Sequence, residues 1–459
     1  MKKALALVLA GTTVVCSLAG CGSSAKTEAT AAPAAETTAA QAAAETAAGA
    51  AGTESPAADI TLWTYPIGSF KDADTVNGFI ASFNEKYPDI HVNVEYLDYT
   101  SGDDQVTAAI EAGTTPDVIM EGPERLVSNW GAKGKMVDLA DLWDDDASKD
   151  IAATSEAIVA ACKSPDGIYY EYPLCMTTHC MAINYELFEK ADALQYINED
   201  RTWTTENFGK ALKALKDSGV DTTGVVYCGG QGGDQGTRAL AMNLYSAQFT
   251  DADHTKWTMN SDAGLKGLTQ LVDWTKDGSL SYDAGAVASD ELQLFANGTT
   301  AMTFCWNASN EANYASSVAF TPYAVAFPSD DGKPELCGGI WGFGIFDNGD
   351  AAKIDASKIF IDYLCDDETQ GPVSVKSTGF FPVRASFGNA YAGTEDEERM
   401  AVYSTFMPYL SDYYNVTAGW AEQRTAWWNL LQQIFGGTDV KTATDEYVAA
   451  CDAATAAAK

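Results

Sequence analysis

The sequence predicts an α/β fold built as two lobes, and three observations carry that prediction. Strand-like and helix-like patterns alternate from Ile60 onward, and the alternation begins afresh near Cys175. The patterned part of the chain, about 400 residues, is too long for one hydrophobic core and comfortable for two.

The first lobe opens with ITLWTYP, an apolar strand from Ile60 that enters a turn at Pro66-Ile67-Gly68. Val76, Phe79, Ile80, Phe83 and Tyr87 then recur at helical spacing, one apolar face of a helix that Pro88 stops. HVNVEYL alternates Val92, Val94 and Tyr96 as a strand does. Another helix covers Gln105 to Ala112, and DVIMEG reads as a buried strand ending in a loop. This βαβαβ order predicts parallel strands joined by right-handed crossovers. Ligands of such sheets bind beyond the carboxyl ends of the strands, which makes Tyr65 and Glu121 candidate contacts.

The second lobe repeats the alternation without a clear internal sequence repeat. MAINYELF gives a strand running into a helix. RTWTTENFGKALKALKDSG starts with Thr204 or Thr205 as N-cap, sets Phe208, Leu212 and Leu215 on one face, and ends at Gly219. GVVYCGG is the strand after it. The Gly-rich CGGQGGDQG that follows lacks the GK[ST] ending of a phosphate loop, but it could bring Gln231 or Asp234 to a ligand.

Upstream of both lobes, Lys2 and Lys3 precede an uncharged, mostly apolar run from Ala4 to Leu18, with the small Ala19 and Gly20 after it. That is the form of a secretory signal over residues 1–20, too short to span a bilayer comfortably. Leu18-Ala19-Gly20-Cys21 resembles a bacterial lipobox, in which cleavage leaves an acylated cysteine as the first residue. An ordinary signal that happens to end before a cysteine is the alternative. Residues 21–58 read as a disordered Ala/Thr-rich tether, because Gly22 to Asp59 holds no aromatic residue and no Leu, Ile, Val or Met. A flexible chain of that length has an r.m.s. span of roughly 35 Å.

Composition excludes one class of partner. With 64 acidic against 28 basic residues and a net charge of −36, the chain lacks the basic footprint that nucleic acid demands. The acids are spread along the sequence, as on a solvated surface. Beyond Cys16 and Cys21 there are eight cysteines, Cys162, Cys175, Cys180, Cys228, Cys305, Cys337, Cys365 and Cys451. Disulfides and free buried thiols both stay open. No CxxC pair or Cys/His cluster has zinc spacing, and the three histidines His91, His179 and His254 are dispersed, so neither a metal nor a cofactor is expected.

The segments ITLWTYP, FIASFNEKYPDIHVNVEY, TTPDVIMEG, GKMVDLADL, YEYPLCMTTHCMAINYELF, TWTTENFGKALKAL, FANGTTAMTFCWNAS, GGIWGFGIF and GFFPVR cover nearly all of residues 59 to 450 in order. In that order they resemble the extracellular solute-binding proteins of bacterial ABC importers, in particular the carbohydrate-binding group (family 1) that includes maltose-binding protein. The resemblance implies a periplasmic-binding-protein-like (type II) fold, with a hinge and a ligand cleft between the lobes. Its crossings would fall near Tyr172 to Met176, at Gly338-Gly339, and near Phe380 to Pro382. The N-terminal lobe would then comprise 59–174 and 339–379, and the C-terminal lobe 175–338 and 380–459.

By the same resemblance the ligand contacts include Glu121 after the DVIM strand, Tyr172 and Thr177 on the crossing segment, and Trp306 and Asn307 after GTTAMTF. Trp341 beside a hinge strand, and Trp420 and Arg424 in GWAEQR, complete the set. Core packing competes for Tyr172, Trp306 and Trp341, and a surface role for Glu121 and Arg424. The implied protein is a monomeric, non-catalytic receptor that hands a sugar, or an oligosaccharide, to two permease subunits served by a separate ATPase. The lipid anchor at Cys21 and the tether suit the outer face of a Gram-positive membrane. Two alternatives remain: a receptor for a peptide, polyamine or glycerol-phosphate diester, and a secreted glycoside hydrolase. The hydrolase needs two carboxyl groups roughly 5 to 9.5 Å apart across a cleft, and no GxSxG or HExxH motif is present.

Overall fold

The computed structural model describes residues 56–99, 101–229, 235–314, 316–410 and 416–458. The signal, most of the tether, Cys21, Gln231 and Asp234 lie outside the described residues.

Strand β1 (Ala58–Thr64) pairs in parallel with β2 (Ile90–Tyr96) from Ala58↔Ile90 to Thr64↔Tyr96, and with β3 (Val118–Glu121) from Leu62↔Val118 to Thr64↔Met120. Helix Ala73–Lys86 crosses between β1 and β2 with Val76, Phe79, Ile80 and Phe83 buried, the face that the spacing predicts. Helix Gly102–Ala112 begins three residues earlier than predicted and ends where Gly113 takes a left-handed φ of 67°.

The sheet is not parallel throughout. Its order is β11-β4-β10-β3-β1-β2, where β4 is Tyr172–Thr178, β10 Gly338–Ile345 and β11 Phe381–Pro382. Strand β10 lies antiparallel between β3 and β4, pairing Gly342 with Glu121 on one side and with Pro173 on the other. The chain therefore leaves this sheet after β4 and returns twice. Buried Asp117 fixes one return: it accepts from the Thr61 backbone N–H at 2.8 Å and from Lys353 Nζ at 3.1 Å. Arg384 fixes the other, donating to the Tyr172 hydroxyl at 2.8 Å and pairing with Asp366 and Asp150.

A second group of strands follows β4. Strand β5 (Cys180–Asn184) is flanked antiparallel by β8 (Met302–Trp306) and β9 (Pro322–Val325), while β6 (Val225–Tyr227) pairs in parallel with β7 (Ser281–Asp283). Thr204 caps helix Thr205–Asp217, accepting from the Asn207 N–H at 3.1 Å, and Phe208, Leu212 and Leu215 face inward.

Two apolar cores result. One gathers side chains between Ile60 and Met176 and between Ile340 and Val383. The other gathers side chains between Cys180 and Cys337 and between Tyr391 and Cys451. Both belong to one compact unit that starts at residue 54. The eight cysteines from Cys162 to Cys451 are all buried, and no disulfide joins them. No helix among the described residues is long and apolar enough to cross a membrane.

Candidate functional site

The carboxyl end of β3 leads into a tight passage. Gly122 follows Glu121, and a side chain there would come within 2.7 Å of the Ile340 carbonyl and of the Glu124 carboxylate. Only glycine lets the loop run this close to β10. Pro123 then starts a short helix, Pro123–Arg125, which runs into a π-helical turn over Leu126–Gly131. Such turns are uncommon and often mark functional sites.

Arg125 is 4% exposed and organises the wall. Its Nε and Nη2 donate to the two oxygens of Asp103 at 2.7 and 3.0 Å, a bidentate fork, and its Nη1 donates to Glu121 at 3.1 Å. The Tyr65 hydroxyl donates to the same Asp103 at 2.6 Å. Tyr65 stacks on Tyr99 with centroids 5.1 Å apart, and the Arg125 guanidinium lies 5.1 and 5.7 Å from those two rings. All these groups stand at the carboxyl ends of β1, β2 and β3 or on the helices that follow.

The opposite side is supplied from the second core. Helix Trp420–Phe435 buries Trp427, Leu430, Leu431 and Ile434 there, yet its first residue, Trp420, is buried while belonging to neither core. The Trp420 ring centre is 5.2 Å from the Arg125 guanidinium and 4.5 Å from that of Arg424, one turn further along its own helix. The indole N–H of Trp420 has no hydrogen-bond partner among the described residues.

Charge follows geometry. Burial pushes the Glu121 carboxyl up to about 7; the charge of Arg125 and the Gly122 N–H resist this, while neighbouring Glu124 adds to it. Partial burial also works against ionisation of Asp103, but the hydrogen bonds and charge of Arg125 prevail and hold it below the usual carboxylate range. Burial pushes the Tyr65 hydroxyl well up, so it stays a donor. The wall thus presents carboxylate acceptors, guanidinium and indole donors, and aromatic faces in one place. No group of His, Cys, Asp and Glu among the described residues is arranged to hold a metal ion.

Four residues expected from the sequence, Tyr65, Glu121, Trp420 and Arg424, meet in this group. The sequence reading missed Asp103, Arg125 and Tyr99. A signal was present: the chain has only six arginines, and two of them come together here. Tyr172, Thr177 and Trp341 lie on the neighbouring strands β4 and β10. Tyr172 is buried and donates its hydroxyl to Asp366, Thr177 turns its hydroxyl toward the Thr178 carbonyl at 3.4 Å, and half-buried Trp341 stacks on Phe380 at 4.6 Å.

Trp306 requires a correction. Its ring lies within the second core, with Phe295 edge-on at 5.6 Å, and its N–H donates to Tyr403 at 2.7 Å, so it packs as a core residue and does not join the Arg125 group. Asn307 accepts from the Asn310 N–H at 2.9 Å, holding the first turn of helix Ala308–Tyr314.

Residues 67–371, well over half of the chain, match the family described as bacterial extracellular solute-binding protein. No curated protein matches the sequence significantly. Among solved structures, an ABC-transporter solute-binding protein of Thermotoga lettingae bound with α-D-tagatose superposes with a TM-score of 0.69 at 19% identity, covering 86% of this chain and 99% of its own. The cyclic α-maltosyl-1,6-maltose binding protein of Arthrobacter globiformis gives 0.69 at 20% identity, over 87% and 99%. A maltose/maltodextrin-binding domain from Bdellovibrio bacteriovorus, bound to maltotriose, gives 0.65 at 14% identity, over 86% and 99%. At these identities the likeness is one of fold.

Proposed function

The chain belongs to the bacterial extracellular solute-binding protein family, and from that premise we propose that it is the receptor of an ABC importer and captures a carbohydrate between its lobes. The observation that supports this reading is the meeting of Trp420 and Arg424, on a helix whose later residues pack in one core, with Arg125, Asp103 and Tyr65 at the strand ends of the other. Sugars present apolar faces, which aromatic rings accept, and hydroxyls, which need buried donors and acceptors to replace water. This group supplies both, and from both sides of a hinge.

In this account the solute bridges the two walls, and its contacts favour the closed arrangement of the lobes. The closed receptor then docks on two permease subunits, and the chain itself catalyses nothing. Acylation of Cys21 anchors it at the outer face of the membrane, with the segment between Cys21 and β1 as the tether. The structural relatives with sugars in their names agree with the substrate class.

A thermal-shift screen over mono- and oligosaccharides, amino acids, peptides and polyamines tests the reading. A carbohydrate should raise the melting temperature and be recovered intact after incubation. Stabilisation only by a peptide or polyamine, or release of hydrolysis products, would reject it. Mass spectrometry of the mature N-terminus tests the anchor separately: an unlipidated end would remove it.

A further inference from the structure

One buried side chain beside the Arg125 group has no role so far. Glu171, the residue before β4, is 0% exposed, and neither of its carboxyl oxygens has a hydrogen-bond partner among the described residues. The charges that weigh most on it are those of Glu124 and then Glu121, both on the wall that carries Arg125. The thiols of Cys162 and Cys175 feel its carboxyl from within the core. Strand pairing agrees with this placement, since Gly342 joins Glu121 on one side to Pro173 on the other.

Four carboxyl groups, Asp103, Glu121, Glu124 and Glu171, thus serve one region that holds two guanidinium groups, Arg125 and Arg424. Arg125 already gives its fork to Asp103 and a further N–H to Glu121. The rings of Tyr65, Tyr99 and Trp420 hold that guanidinium at 5.1 to 5.7 Å, so their negative π faces line a place built for positive charge. A buried carboxylate without a partner is costly. Burial, reinforced by Glu124 and Glu121, keeps Glu171 protonated well above the ordinary range.

We propose that the captured solute carries a basic nitrogen, as in an amino sugar or a saccharide containing one, and that Glu124 and Glu121 hold its ammonium with Glu171 behind them. This rests on the carbohydrate reading above. The incoming cation makes an ionised Glu171 favourable, so the proton of its carboxyl passes to solvent on binding, and Glu121, part-protonated at pH 7, adds to that release. No covalent bond of the solute changes.

The test is isothermal titration calorimetry of the whole protein at pH 7, in phosphate and in Tris, whose ionisation enthalpies differ. The probes are matched pairs: glucose and glucosamine, galactose and galactosamine, and the α-1,4 and β-1,4 disaccharides of glucose and of glucosamine, with putrescine and spermidine as linear amines. The expected result is an amino member binding about tenfold tighter or more than its neutral partner, with a heat that differs between the buffers because protons are released. Glu171→Gln should reduce that buffer dependence, leaving only the share that the part-protonated Glu121 releases. If that variant fails to fold, the wild-type comparison between buffers decides alone. A neutral member binding as tightly as its amine in every pair that binds overturns this inference and leaves the carbohydrate reading standing. Binding of linear amines alone, or silence across the panel, counts against both.

Discussion

Arg125 and Trp420 belong to elements of different cores, yet the guanidinium of one lies 5.2 Å from the ring centre of the other. Arg125 is fixed on its own side by Asp103 and Glu121. Trp420 is fixed by the helix it begins, with Arg424 stacked on it from one turn later. The contact is therefore a junction between two rigid walls.

Arg125 holds the buried carboxylate of Glu121 and the half-exposed one of Asp103, and its loss strands the buried one. Arg125→Ala is expected to cost about 3–5 kcal/mol, as breaking a buried ion pair does. Arg125→Lys keeps the charge but loses the planar fork, and should recover only part of that stability. Denaturant unfolding of the two variants checks both statements; equal stabilities would show that the fork contributes nothing.

Buried carboxyls, Glu171 among them, set a pH dependence of stability. Glu121 is pushed up to about 7 and Glu291 up to about 8, in each case by burial first, with hydrogen bonds from Thr303 and the Phe304 N–H opposing it at Glu291. Both folded values lie above the unfolded carboxyl value. Between about pH 4.5 and 8 the folded state thus binds more protons than the unfolded chain, and stability must fall as pH rises. The melting temperature should be higher at pH 5 than at pH 8, and Glu291→Gln should flatten the slope. A slope unchanged in that variant would remove Glu291 from the explanation.

Trp306 behaves as core. Trp306→Ala should destabilise the protein by about 3–5 kcal/mol, because the ring packs against Phe295 and its N–H reaches Tyr403, which in turn donates to Glu311. Solute affinity of the folded variant should stay within about twofold of wild type. Calorimetric titration alongside thermal melting separates the two quantities, and a lost affinity with intact stability would return Trp306 to the site.

All eight cysteines from Cys162 to Cys451 are buried, and no disulfide joins them. A reducing agent should leave the melting temperature unchanged, and a thiol reagent should label none of them until the protein is unfolded. A melting temperature that drops on reduction would reveal a disulfide, whose loss typically costs about 2–5 kcal/mol.

The fold was legible wherever local chemistry decided it. The face of helix Ala73–Lys86, the Thr204 cap and the parallel pairing of β1 with β2 all follow from spacing within a few dozen residues. The antiparallel insertion of β10 between β3 and β4 was not, because its partners lie far along the chain and GGIWGFGI names neither of them. The site divides the same way. Tyr65 and Glu121 are strand ends that local pattern exposes. Arg125 acquires meaning only from Asp103, 22 residues away, and from Trp420 at the start of a helix that packs in the other core. Trp306 misled because an apolar strand ending in a ring and an asparagine looks the same whether the ring meets a solute or, as here, Tyr403 97 residues onward.

The central claim, that the solute contacts the group in which Arg125 meets Trp420, is tested most directly by calorimetric titration of wild type and Trp420→Ala with the carbohydrate that most raises the wild-type melting temperature. If the ring is a contact that carries binding energy, the variant should lose about 2 to 4 kcal/mol of binding, roughly 30- to 1000-fold in affinity, while remaining folded. A folded Trp420→Ala protein that binds the same sugar as tightly as wild type would contradict the account.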